Sequence, residues 1–113
     1  MKRISTHVLD IALGTPAKDV PVRLERQDGS AWRLLASTQT DQDGRCAQLL
    51  PESEALVPGT YRLSFDTSAY FNAHEVQGLY PLVEIAFQVR DGNQGFHIPL
   101  LLSPNGYTTY RGS

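Results

Sequence analysis

Apolar residues recur at every second position in several short segments of the chain. Val20, Val22 and Leu24 alternate with Pro21, Arg23 and Glu25, and Tyr61, Leu63 and Phe65 alternate with Arg62, Ser64 and Asp66. Val83, Ile85, Phe87 and Val89 alternate with Glu84, Ala86, Gln88 and Arg90. A period of two is the mark of a half-buried β-strand. Trp32-Leu34-Ala36 and the stretch from Arg45 to Leu49 alternate less cleanly, yet they are short and flanked by Asp-Gly turns, so strands are predicted there too. Turn signals fall at Asp28-Gly29, Asp43-Gly44, Pro58-Gly59, Asp91-Gly92 and Asn105-Gly106, where glycine or a preset proline favours chain reversal. Only the wide gap after Phe65 has room for a helix, about two turns over 68–73 with Asp66 or Thr67 as its N-cap. Seven or eight evenly spaced strands with one short helix predict an all-β, antiparallel β-sandwich of immunoglobulin-like size.

Two strands depart from simple alternation. In Phe96 to Ser103, Phe96, Ile98, Leu100 and Leu102 form a core face, while His97, Pro99, Leu101 and Ser103 form a second face too apolar for open solvent. That second face is expected to be covered by another subunit. Near the N-terminus, Ser5, His7, Leu9 and Ile11 share one face, and Ile4, Thr6, Val8 and Asp10 the other. Parity alone does not choose the core side here. It does place His7 beside Leu9 in mid-strand, so two strand histidines from opposite ends of the chain have a way to meet.

Composition narrows the function classes. The 113 residues form one domain, 1–113, with 12 acidic residues against 10 Lys and Arg and a net charge of -2. Nearly neutral charge with scattered cations gives no footprint for nucleic acid. The longest apolar runs are far below the roughly 20 residues of a membrane span. Polar Ser5, Thr6, His7 and Asp10 follow Met1-Lys2-Arg3 where a leader's apolar region would lie, so a cytoplasmic location is expected. The single Cys46 allows no internal disulfide and no zinc site built on Cys pairs, and the strand pattern makes it a small core residue. Asp41-Gln42-Asp43-Gly44 resembles the start of a calcium loop, but Leu50 stands where the bidentate glutamate belongs, so a plain turn is expected. His74 is read as a surface residue.

The segments Ile4-Ser5-Thr6-His7-Val8-Leu9-Asp10, Gly14-Thr15-Pro16-Ala17, Thr40-Asp41-x-Asp43-Gly44-Arg45, His97-Ile98-Pro99-Leu100-Leu101-Leu102-Ser103-Pro104 and Tyr110-Arg111-Gly112-Ser113 together resemble the 5-hydroxyisourate hydrolases, transthyretin-like enzymes of urate breakdown. The resemblance spans the whole chain. It implies a transthyretin-like sandwich of two four-stranded sheets, assembled as a homotetramer with active sites in a channel between dimers. It implies hydrolysis of 5-hydroxyisourate to 2-oxo-4-hydroxy-4-carboxy-5-ureidoimidazoline, with no metal or organic cofactor. It assigns catalytic roles to His7, Arg45, His97 and Ser113, and substrate binding to His7, Arg45, Tyr110, Arg111 and Gly112.

These residue types suit the chemistry. A histidine accepts a proton near neutral pH, and the His7/His97 pair is read as base and partner with the order left open. Arg45 and Arg111 offer planar forks of N–H donors for carbonyl oxygens and a developing oxyanion. Gly112 lets backbone pass close to a ligand, Tyr110 offers a phenol, and Ser113 offers its hydroxyl and a terminal carboxylate. The alternative reading is a transthyretin-like hormone carrier without catalysis, in which the histidine, arginine and closing tetrapeptide positions are replaced.

Overall fold

The computed structural model describes residues 3–113. The strands in chain order are β1 (Ile4–Asp10), β2 (Thr15–Pro16), β3 (Pro21–Asp28), β4 (Ala31–Gln39), β5 (Arg45–Cys46), β6 (Gly59–Phe65), β7 (Val83–Val89), β8 (Phe96–Ser103) and β9 (Gly106–Thr109), with helix α1 (Thr67–Ala73) between β6 and β7. One sheet runs β2-β1-β8-β9, with two-residue β5 also on β1; the other runs β4-β3-β6-β7. The ladders are antiparallel except for β1 and β8, which pair in parallel from Ile4↔Phe96 to Asp10↔Leu102. That parallel pair joins the two ends of the chain and sets the site.

The alternating segments bury the expected faces. Val20, Val22, Leu24, Tyr61, Leu63, Phe65, Val83 and Leu100 are fully or almost fully buried between the sheets. On β1 it is Ile4, Thr6, Val8 and Asp10 that turn inward, which settles the parity question and leaves His7 on the outer face. Thr6 Oγ1 donates to the Ile98 carbonyl at 2.6 Å. Asp10 accepts from the Tyr70 hydroxyl at 2.7 Å and from the N–H groups of Ala12 and Leu13. Both polar groups therefore enter the core with partners.

Trp32 to Ala36 alternates poorly because the β3–β4 register shifts between Leu24 and Glu25, where Leu24 faces Ala36 and Glu25 faces Leu34. Leu35 is the extra residue of a β-bulge. The strand expected over Arg45 to Leu49 is shorter than anticipated: only Arg45 and Cys46 pair with β1. Leu49 instead donates its N–H back to the Ile4 carbonyl. Helix α1 is capped by Asp66, whose carboxylate accepts from the Ala69 N–H at 3.0 Å. His74 is exposed at the end of this helix, against the ring of Tyr70.

Candidate active site

His7 and Arg45 face each other across β1 and β5 because the Asp41–Gly44 turn brings the chain back onto β1. Asp41 Oδ1 accepts from the N–H groups of Asp43 and Arg45 at 2.9 Å each. Gly44 is in the left-handed region at φ 74°, and a side chain there would collide with the Val8 carbonyl. Glycine is thus required on two counts. The acidic turn holds backbone and positions Arg45. Among the described residues no cluster of His, Cys, Asp and Glu is arranged to hold a metal ion.

His7 Nε2 lies 2.9 Å from the Asp43 carbonyl oxygen. A carbonyl only accepts, so His7 carries its proton on Nε2 in this contact. His97 stands across from Ser5 in the β1–β8 ladder, two residues from His7, so the two histidines are diagonal neighbours roughly 8 Å apart by sheet geometry. At that spacing a charge on one ring is felt by the other, and His7 is among the groups that lower the His97 pKa. His97 is half-buried, and its pKa is lowered by burial first, then by the Arg45 guanidinium and by His7. It is therefore neutral at pH 7. Its Nδ1 lies 2.9 Å from Ser5 Oγ.

The closing segment packs against this ring. Gly112 forms an antiparallel bridge with His97, donating its N–H to the His97 carbonyl at 2.7 Å. A Cβ on Gly112 would sit 2.5 Å from His97 Cδ2 and 3.3 Å from Pro99 Cγ. The absence of a side chain at Gly112 lets the closing backbone approach the histidine. Ser5, Arg45, His97, Gly112 and Ser113 all line one open cleft of about 370 Å³. The cleft has room for a small heterocycle.

Three of the five expected substrate-binding residues, Tyr110, Arg111 and His7, do not line the cleft of the single chain. Tyr110 is exposed and does not line the cleft. The Arg111 guanidinium lies over the Phe96 ring, 4.5 Å from its centroid, and donates to Gln94 Oε1 and the Gly95 carbonyl. It anchors the closing segment to the loop before β8. His7 borders the cleft through its Arg45 pairing but does not line it. Ser5 was legible on the face of His7; its contact with His97 depends on the β1–β8 register, for which the sequence carries no local signal. Cys46 is buried, with a thiol pushed up to about 11 by burial and then by Asp41, so it is no thiolate at neutral pH.

A β-sandwich with a parallel pair joining its termini and a His/Arg/Ser cleft on its outer face defines a transthyretin-like architecture. The model of the HIUase/Transthyretin family matches residues 4–112, and the chain belongs to that family. The 5-hydroxyisourate hydrolase of Mus musculus is 46% identical over 112 residues, covering 97% of this chain and 94% of the relative. The solved 5-hydroxyisourate hydrolase of Klebsiella pneumoniae superposes with a TM-score of 0.87 at 36% identity, covering 100% of both chains. Sea bream transthyretin in complex with thyroxine superposes with a TM-score of 0.89 at 30% identity, covering 96% of this chain and 93% of that one. Backbone likeness alone does not separate enzyme from carrier; the site chemistry has to do so.

Proposed function

We propose that this protein hydrolyses 5-hydroxyisourate to 2-oxo-4-hydroxy-4-carboxy-5-ureidoimidazoline in urate breakdown. The observation that carries the reading is that His97, whose pKa burial lowers, shares a cleft with an arginine, Arg45. Among the described residues His97 Nε2 has no hydrogen-bond partner, and Arg45 forms no ion pair. A carrier has no use for a base and a cation held ready in this way.

In the proposed reaction His97 is the base. It removes a proton from water as the oxygen attacks a ring carbonyl, and the electron pair of the C=O bond moves onto oxygen. The Arg45 guanidinium stabilises that oxyanion. The carbonyl re-forms as the ring C–N bond breaks, and the leaving nitrogen takes the proton from His97. Ser113 and the Gly112 backbone close one wall of the cleft, and His7, locked to the Asp43 carbonyl, helps orient substrate and water. Arg111 acts by holding the closing segment in place. Tyr110, exposed in one chain, is assigned to the wall contributed where copies meet.

The outer face of the β1–β8 sheet sets Leu9 beside Leu101, and the following loop presents Ile11 and Leu13, 55% and 64% exposed. Such a surface favours burial against further copies, and we assign a homotetramer with its sites in the channel between dimers. A cytoplasmic location belongs to the same proposal, since a lone thiol such as Cys46 suits a reducing compartment. The functional test adds purified protein to 5-hydroxyisourate made freshly from urate, following its ultraviolet decay, with thyroxine binding measured in parallel. Accelerated decay is the expected result. Tight hormone binding with decay at the spontaneous rate would establish the carrier instead.

A further inference from the structure

Ser5 is 8% exposed, lies directly across from His97 in the parallel ladder and lines the cleft. Its hydroxyl oxygen, 2.9 Å from His97 Nδ1, is able either to donate to that nitrogen or to accept from it. The two choices put the imidazole's single proton on opposite sides of the ring.

The surroundings and the reaction together decide between them. Nδ1 is taken by Ser5, and the ring edge at Cδ2 is packed by Gly112. Nε2 is then the nitrogen left to meet water in the cleft. To accept a proton it must hold a lone pair, so the ring's proton must sit on Nδ1, with Ser5 Oγ accepting it. This arrangement also needs no rebuilding during the proton transfer. When Nε2 gains a proton, the Nδ1–H bond to Ser5 persists and steadies the imidazolium. Ser5 is nearly buried but lines the cleft, which is the space its own O–H can turn toward in this arrangement. The opposite choice turns Nε2–H toward the substrate, a donor where the reaction calls for a base.

We propose that Ser5 is a positioning residue that holds His97 in the Nδ1–H tautomer and so aims an Nε2 lone pair into the cleft. The proposal rests on the hydrolase reading, whereas the tautomer itself is measured on the protein alone. An unconstrained imidazole favours the Nε2–H form, so the serine works against the ring's own preference.

The test is a long-range ¹H–¹⁵N correlation on protein labelled at histidine, without substrate, at a pH where His97 is neutral. Wild-type protein and Ser5→Thr should show a protonated Nδ1 and an unprotonated Nε2 at His97. Ser5→Ala should shift the ring toward the Nε2–H form. In the kinetic arm, Ser5→Ala should lose about ten-fold in kcat with KM within roughly two-fold, and Ser5→Thr should recover to within about three-fold of wild type. A wild-type spectrum with the proton on Nε2 would overturn the proposal without recourse to any variant. So would a tautomer unchanged in Ser5→Ala. If the spectra are as expected but wild-type protein does not hydrolyse 5-hydroxyisourate, the hydrolase reading fails and the tautomer assignment stands.

Discussion

Replacing Gly112 by alanine perturbs the site through a single methyl group. Its backbone is not in the left-handed region, so the cost is steric and falls mainly on His97, with a lesser contact at Pro99. The added Cβ would lie 2.5 Å from His97 Cδ2, whereas ordinary contact begins at 3.4 Å, so the ring or the closing segment must move by about 0.9 Å. Overpacking of this kind costs roughly 1–3 kcal/mol when the surroundings are rigid. Here the segment can relieve it by lifting off, at the expense of the Gly112 N–H bond to the His97 carbonyl. Either response misplaces the base or opens the wall beside it, and a displacement near 1 Å lowers catalysis by about a hundred-fold. Because a closing segment opens more easily than the core unfolds, Tm should fall by no more than roughly 5 °C. The assay is kcat/KM on 5-hydroxyisourate with thermal unfolding followed by circular dichroism. Gly106→Ala is the control, since its Cβ would meet nothing nearer than Ser103 Oγ at 3.9 Å. Wild-type kcat/KM in Gly112→Ala would refute the claim that close packing on His97 supports the site.

Four further outcomes are expected. Arg45→Ala should lower kcat/KM by about a hundred-fold and raise the His97 pKa, because a charge that lowers it is gone; NMR titration of the ring reads the second effect. The wild-type rate should decline as pH falls through the lowered His97 pKa, and the neutral ring's contribution to stability, complete above about pH 6.5, should be lost over the same descent; pH-dependent rates and unfolding curves check both. Tyr70→Phe removes the hydroxyl bonded to buried Asp10 and should lower stability by about 1.5 kcal/mol, or roughly 5–10 °C in Tm, with catalysis little changed. Light scattering should give about 50 kDa, four chains of 12.5 kDa; a monomer mass would remove the channel from the proposal.

Much of the sandwich was legible because its strands bury one face only, so side-chain alternation reports the core directly. The exceptions have local causes. Leu34 and Leu35 break the period at the β4 bulge, and β5 is too short to alternate. His7, Arg45 and His97 stood out as residue types that suit the chemistry. What remained hidden was the register of β1 on β8, which pairs strands some 90 residues apart and has no turn to fix it. That register places Ser5 on His97, while Gly112 reaches the ring through a separate bridge from the closing segment. Arg111 illustrates the converse: its residue type fits an oxyanion, while its position over Phe96 makes it an anchor.

If His97 is the base of a 5-hydroxyisourate hydrolase, the decay of that substrate depends on its imidazole, and the measurement compares wild-type protein with folded His97→Ala. Wild-type protein should accelerate the decay well beyond the spontaneous rate, and His97→Ala should lose at least about a hundred-fold of that acceleration. Decay at the spontaneous rate with wild-type protein, or an undiminished rate with His97→Ala, would mean that His97 is not the base.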